Sequence, residues 1–412
     1  MKKVVCYGIG FNFNTFMRYG DLNDFEIVAL ADSYKHGKKY NKWLIKHPDE
    51  IKDIIYDEIY LFVIGNAKEE IINYLTDELQ IERLKIRCTY ELNQHYLIGS
   101  CNFTKYRYVM FTDAQEFLNY PYDDLCARDD FLMTGIMDQE EQWVYDGKSF
   151  DKEIIFIFRD HCYKNFNTSN FIIYVKQKYP YSKMVLVISD SIDGQYGRLE
   201  EYGSDYVNKI KNTFDLVMTY HSKEAHKYGL TYYQQTYPLG GADGFLERSR
   251  CQSKTPSYDV LFLGRAKDRL ELIHRTFIHL KENGVTCRFW IADVNEEDQL
   301  QDEDITYNTR LPYKDYLNEI PHCRCILEIC KHGNETSYRY AEAIVNNKKL
   351  IVNDAACKNK KYYCEDFMQY ISKPEDIDCQ WIKNECIVDY QYKNDFSPEN
   401  FLLFLEHELS HT

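Results

Sequence analysis

A short apolar run, a turn and then a helical stretch recur in three series along this chain, and that alternation restricts its fold more than any other feature. The first series opens with Lys3 to Tyr7, turns through Gly8-Ile9-Gly10, continues as a helical stretch from Asn14, and returns as a second apolar run, Glu26 to Ala31, ending in Asp32. Tyr60 to Ile64 and a helix from Lys68 to Leu79 extend it. The second series has strands at Ile154 to Phe158, Lys183 to Ile188 and Leu216 to Thr219, with helices at Asn170 to Lys178, Glu200 to Thr213 and Lys223 to Tyr228, then a short strand near Thr231 to Thr236. The third has strands at Asp259 to Leu263, Cys287 to Ala292, Cys325 to Ile329 and Leu350 to Val352. Its helices are Lys267 to Asn283, Tyr313 to Ile320, Thr336 to Asn346 and Pro398 to Leu409. Apolar strands alternating with helices are buried on both faces, which is the pattern of a parallel sheet covered by helices. The chain therefore reads as α/β. At 412 residues it exceeds one ordinary core,, and it divides into a domain over residues 1–95, an acid-rich, mostly helical or irregular connector over 96–150, and two further domains over 151–245 and 246–412.

Charge and cysteine content narrow the function. The formal net charge of −15 argues against binding along a nucleic-acid backbone, which needs a basic face,. An anionic small ligand is still within reach of a few local cations. Lys358, Lys360 and Lys361 form one basic cluster; it reads as a solvated loop or as a contact with an anionic membrane surface. Fourteen cysteines occur with no CxxC pair, which fits reduced thiols and a cytoplasmic protein. Met1-Lys2-Lys3 leads directly into a strand and no run approaches the ~20 apolar residues of a membrane span,. The expected location is the cytoplasm, with peripheral attachment at the inner face of a membrane as its extension. No metal-ligand spacing is visible, so no cofactor and no strict metal requirement are expected.

In open parallel sheets, ligands bind beyond the carboxyl ends of strands, where the connections reverse direction. Gly264-Arg265-Ala266-Lys267-Asp268-Arg269 follows the first strand of the third series. Gly264 permits a close turn, and Arg265 and Lys267 could reach a diphosphate at a helix start; Arg269, deeper in the helix, reads equally as structural. After the strand ending at Ile329 comes Lys331-His332-Gly333-Asn334-Glu335-Thr336-Ser337, with Arg339 and Glu342 on the following helix. Thr336 and Ser337 stand where N-cap hydroxyls and open N–H groups occur. Arg339 and Glu342 share one helix face; they read either as phosphate and ribose contacts or as an ion pair with each other.

These blocks, in this order, resemble bacterial GT-B glycosyltransferases of lipopolysaccharide and capsular polysaccharide assembly. The resemblance runs from Thr219 to Leu230 (with Tyr220, Ser222 and Lys223) through Tyr258 to Arg269, Tyr313 to Leu317 and Arg339-Tyr340-Ala341-Glu342-Ala343, to Asn347-Lys348-Lys349-Leu350-Ile351-Val352-Asn353, within residues 153–375. It implies two facing Rossmann-like domains plus an additional one at the N-terminus. It further implies a nucleotide-sugar donor held by the C-terminal domain, with Glu342 near the ribose and Arg265 and Lys267 near the diphosphate, and a glycan or lipid-linked acceptor. Two departures stand out. Gly333 to Ser337 lacks the Gln-x-Gly-x-Thr run of many relatives, and Glu335 and Glu342 fall one residue short of their E-x7-E spacing. A non-catalytic nucleotide-sugar-binding scaffold and a polyol-phosphate transferase of a teichoic-type polymer are the alternatives. For an inverting reaction, Asp160 and His161, just past a strand, are the candidate base, with Asp190 and Asp193 behind them; helix capping is the other reading of Asp160. A retaining reaction needs no such base. In the N-terminal domain, Gly8-Ile9-Gly10 lacks the third glycine of a dinucleotide fingerprint, and Asp32 stands where a ribose-binding acid would,.

Overall fold

The computed structural model describes residues 1–10, 13, 16–17, 25–63, 66–88, 103–112, 120–135, 147–160, 168–193, 200–237, 256–309, 311, 313–330 and 338–411. Residues 1–115 with 128–187 make one compact unit, and 116–127 with 188–412 make a second.

The first unit opens with β1 (Lys2–Tyr7), β2 (Phe25–Ala31), β3 (Lys39–Tyr40), β4 (Trp43–Lys46), β5 (Glu58–Leu61) and β6 (Ile86–Cys88), in the sheet order β3-β4-β2-β1-β5-β6. All pairings are parallel except the β3–β4 hairpin. β1 is the centre because both its faces are apolar. Val4 and Cys6 enter one buried cluster with Leu30 and Phe62, while Val5 and Tyr7 enter the opposite one with Ala31, Ile59 and Leu61. A helix, α1 (Asn66–Asn73), follows β5.

The same unit holds β7 (Tyr108–Thr112), β8 (Phe131–Gly135), β9 (Ile155–Arg159) and β10 (Lys183–Ile188, its last residue in the second unit), running β8-β7-β9-β10 with parallel pairs. This corrects the reading of 96–150 as a helical or irregular connector, since β7 and β8 lie within it. Acidic neighbours hid them, yet β7 is buried at all five positions. A second helix, α2 (Thr168–Lys178), lies between β9 and β10 in sequence.

The second unit contains α3 (Glu200–Thr213), β11 (Leu216–Thr219), α4 (Ser222–Tyr228) and β12 (Thr231–Tyr232), with β11 and β12 parallel. Its main sheet comprises β13 (Tyr258–Arg265), β14 (Cys287–Ala292), β15 (Ile305–Tyr307), β16 (Cys323–Glu328), β17 (Lys349–Val352) and β18 (Met368–Tyr370). The order β15-β14-β13-β16-β17-β18, all parallel, is the 3-2-1-4-5-6 order of doubly wound nucleotide-binding sheets,. Helices α5 (Leu270–Glu282), α6 (Tyr313–Glu319), α7 (Tyr338–Val345), α8 (Cys379–Lys383) and α9 (Pro398–Leu409) belong to the same unit. Two of them end or begin for a local reason that is plain in the sequence. Past α5, Gly284 takes φ +66° and its N–H returns to the Lys281 carbonyl,. At the start of α9, the Ser397 hydroxyl accepts the Asn400 N–H, and Pro398, whose missing N–H costs nothing in the first turn, opens the helix,. Tyr122, from the 116–127 segment, packs its ring 5.6 Å from that of Phe401 on α9.

The α/β class and the parallel sheets are as expected from the sequence. Among the described residues, no helix is long and apolar enough to cross a membrane.

Candidate functional site

The reversal of connection direction in the third sheet falls between β13 and β16. Gly264 lies at the carboxyl end of β13. A Cβ built there would come within 3.1 Å of the Phe262 ring and 3.3 Å of the Arg269 guanidinium. The glycine thus makes room for Arg269, which donates through Nε and Nη2 to the Arg265 carbonyl at 3.2 and 3.1 Å and through Nη1 to the Ile329 carbonyl. Arg269 ties the end of β13 to the end of β16, and burial pulls its pKa down. It is structural, one of the two roles left open for it.

A second guanidinium does similar work from α7. Arg339 Nη2 donates to the Leu263 carbonyl at 2.8 Å, and Nη1 donates to both Glu342 oxygens at 2.9 and 2.8 Å. Tyr316 of α6 donates its hydroxyl to Glu342 Oε2 at 2.6 Å, and the guanidinium lies 4.6 Å from the Tyr316 ring centroid. Glu342 is 0% exposed. Burial drives the Tyr316 phenol well above its usual pKa, so it remains a proton donor. Tyr316 was not singled out by sequence reasoning; a tyrosine at the fourth position of a seven-residue helix carries no signal of its own. The ion pair, one of the two readings of Arg339 and Glu342, is what forms. A ribose contact from Glu342 would require that pair to open.

Arg265 and Lys267 differ from these in being exposed. Arg265 Nε pairs with Asp293 at 2.5 Å, with side chains 66% and 52% exposed. An ion pair this wet is weak, so the guanidinium can exchange its partner for a ligand anion. Lys267 adopts φ +46°, a left-handed conformation that costs a non-glycine residue about 1 kcal/mol,. The strained turn aims the chain from β13 into α5 through a single 3-10 turn, Lys267–Arg269.

The remaining candidates fall elsewhere. His161, Thr336 and Ser337 lie outside the described residues, as do Gly333 to Glu335. Asp160 follows β9 in the first unit, next to the β7/β9 reversal of the second sheet, and is wholly buried. Asp193 is held by Lys227 Nζ at 2.9 Å and the Tyr228 hydroxyl at 2.5 Å. Sequence reasoning missed Glu224, which is buried and accepts from Ser191 Oγ and the Ile192 and Asp193 amides at 2.5, 2.9 and 3.0 Å. It folds the loop after β10 around one carboxylate. Asp32 behaves likewise: Oδ2 accepts the Ile9 N–H at 2.8 Å, and Oδ1 accepts those of Tyr34 and Lys35, both at 2.9 Å. An acid so occupied has little left for a ribose. Among the described residues, no group of three or more His, Cys, Asp and Glu side chains is placed to hold a metal.

A cavity of about 420 Å³ also opens in the second unit, within the range of small-molecule sites,. Lys223 of α4, Lys360 and Lys361 past β17, and the rings of Tyr220, Tyr340 and Tyr362 line it. Lys360 and Lys361 belong to the charge cluster read from the sequence, and Tyr220, Lys223 and Tyr340 to the blocks of the resemblance. Tyr220 and Tyr362 are 142 positions apart, too far for a spacing motif to reveal.

No family model matches the chain, and no curated protein does. Among solved structures, it is similar to Anabaena Alr3699/HepE in complex with UDP and glucose, at TM-score 0.44 and 12% identity over 72% of this chain and 94% of that one. It is also similar to the catalytic domain of starch synthase IV from Arabidopsis thaliana bound to ADP and acarbose, at TM-score 0.40 and 7% identity over 63% and 73%. A Listeria monocytogenes protein described as a UDP-N-acetylglucosamine 2-epimerase matches at TM-score 0.38 and 8% identity over 100% and 97%. Likenesses this distant assign no reaction, and the fold rests on the strand orders themselves.

Proposed function

We propose that this chain is a GT-B glycosyltransferase that moves a sugar from a nucleotide-sugar donor to a lipid-linked or oligosaccharide acceptor in cell-surface polysaccharide assembly. The observation that carries this reading is the edge at the β13/β16 reversal, where Arg265 and Lys267 stand exposed and Arg339 is held by the buried Glu342. Glycosyl transfer expels a nucleoside diphosphate. Its developing charge would be stabilised by cations at this edge. Arg265 and Lys267 would face the diphosphate. Thr336, Ser337 and Gly264 would border it. Glu342, with Tyr316, holds the Arg339 guanidinium in one orientation, so its contribution to donor binding would run through Arg339. Asp160 or His161 would take the acceptor proton if the reaction inverts.

The test is a thermal-shift screen of UDP, GDP, CDP, TDP and their sugars, followed by transfer assays. A ligand at a hundredfold excess over its Kd adds about 2.7 kcal/mol of apparent stability. One nucleotide series is expected to raise the midpoint, and Arg265→Ala with Lys267→Ala to abolish that rise. Binding with no turnover across acceptors would replace the enzyme by a nucleotide-sugar-binding scaffold. Consumption of a CDP-alcohol would replace sugar transfer by polyol-phosphate transfer.

A further inference from the structure

We infer that the β3–β4 hairpin of the first unit docks this protein on an anionic membrane surface. The stretch from Ser33 to His47 holds five lysines, two histidines and no aspartate or glutamate, on a chain of net charge −15. The hairpin forms one edge of its sheet. Side chains alternate between faces along a strand, and here the two faces are unlike. Tyr40, Trp43 and Ile45 turn onto the apolar cluster of β1 and β2, with the Tyr40 ring 5.1 Å from that of Phe13. These contacts anchor the hairpin. Lys39 and Leu44, paired across the two strands, and Lys46 take the other face. Leu44 is 55% exposed, and Tyr34, just ahead of β3, is 92% exposed.

Two of the lysines are occupied: Lys46 meets Glu50 at 3.3 Å, and Lys35 donates to the Ile9 carbonyl. Lys38, Lys39 and Lys42, all exposed, pair with no carboxylate among the described residues. The Lys42 ammonium lies 4.7 Å from the Trp43 ring centroid, a contact that leaves its charge in place,. Lysine alone would only guard an edge strand against pairing, and an exposed leucine beside it works against that purpose. A lipid surface uses both kinds of group. Its phosphates attract the ammonium groups, and the boundary beneath them accepts Leu44 and the Tyr34 ring. A nucleic-acid backbone would have no use for Leu44. The rest of an acidic chain is repelled by an anionic surface, so the hairpin leads the approach. The contact thus falls away from the Lys358 to Lys361 cluster, where Lys361 already pairs with Asp395. Docking does not depend on the transfer reaction. If both hold, it brings the enzyme to the surface that carries a lipid-linked acceptor.

Co-sedimentation of the full chain with lipid vesicles tests this. One set is phosphatidylcholine alone, and the other carries about 30% phosphatidylglycerol to supply a negative surface potential. The anionic vesicles are expected to bind about tenfold more tightly or better, and added salt to weaken them. Each lysine at such a surface is worth about fivefold in affinity. Lys38→Gln with Lys39→Gln and Lys42→Gln should therefore lose about a hundredfold, and arginine at all three positions should restore most of it. Leu44→Gln should lose about tenfold through its apolar contact and leave the salt dependence as it was. All four positions are exposed, so every variant should keep the wild-type urea midpoint. Transfer to a water-soluble acceptor, if the chain is a transferase, should be unchanged in all of them, which keeps this inference separate from the donor assignment. Equal binding to both kinds of vesicle, or unchanged affinity in the triple glutamine variant, would overturn the inference. So would a duplex oligonucleotide that displaces the vesicles while Leu44→Gln has no effect, an outcome that would assign the hairpin to nucleic acid.

Discussion

The first and third sheets share a plan and differ at the position that matters. Each places its first strand at the centre, with the next two parallel strands on one side and later ones on the other. In the first, the carboxyl edge is closed by the protein itself. Asp32 spends its oxygens on the Ile9, Tyr34 and Lys35 amides, and Lys35 Nζ donates back to the Ile9 carbonyl. In the third, the backbone at the same edge is held by guanidinium groups, and two further cations are left exposed. A doubly wound sheet therefore supplies a place for a ligand but not the capacity to bind one. That capacity depends on whether the polar groups at the reversal are consumed locally.

The largest expected effect tests the third edge. Glu342→Ala would leave the partly buried Arg339 guanidinium without its carboxylate and cost about 3 kcal/mol,, read by urea unfolding. A loss below about 1 kcal/mol would mean that the pair is not what holds α7 against β13. Next comes the first edge. Asp32→Ala leaves the Ile9 amide without its acceptor and should cost about 2–3 kcal/mol, while leaving every nucleotide-induced midpoint shift intact; a vanished shift would mean that the first sheet binds the nucleotide. A smaller effect on stability separates the exposed cations from the buried ones. Arg265→Ala should change unfolding free energy by less than about 1 kcal/mol yet weaken nucleotide binding in the thermal-shift assay.

The smallest effect is one of pH. His274 on α5 meets the Tyr307 hydroxyl at 2.8 Å, and burial lowers its pKa below 6.5. The folded state thus resists protonating it. Its contribution is fully present above pH 6.5 and is lost as pH falls from there through the lower folded value. His274→Gln should flatten that part of the stability profile. An unchanged slope between wild type and variant would remove His274 as its source.

Much of the fold was legible because burial on both faces leaves a direct trace in sequence. Lys183 to Ile188 and Cys287 to Ala292 are strands and Glu200 to Thr213 and Pro398 to Leu409 are helices over the ranges read from the sequence pattern. Strands β3, β6, β15 and β18, of two or three residues, were missed because so short a run has no period to detect,. Strands β7 and β8 were missed because the segments around them are acidic.

What the sequence determined by itself was the local grammar: where the chain turns, which runs are apolar enough to be central strands, and that the sheets are parallel. Only the tertiary structure decided the partners. Leu263 and Arg339 are 76 positions apart, and Ile9 and Asp32 are 23. Propensity and periodicity act over one turn or one strand. The competition for a carboxylate or a carbonyl is settled by whichever donor the folded chain brings within about 3 Å, and that distance appears only once the strands have found their order.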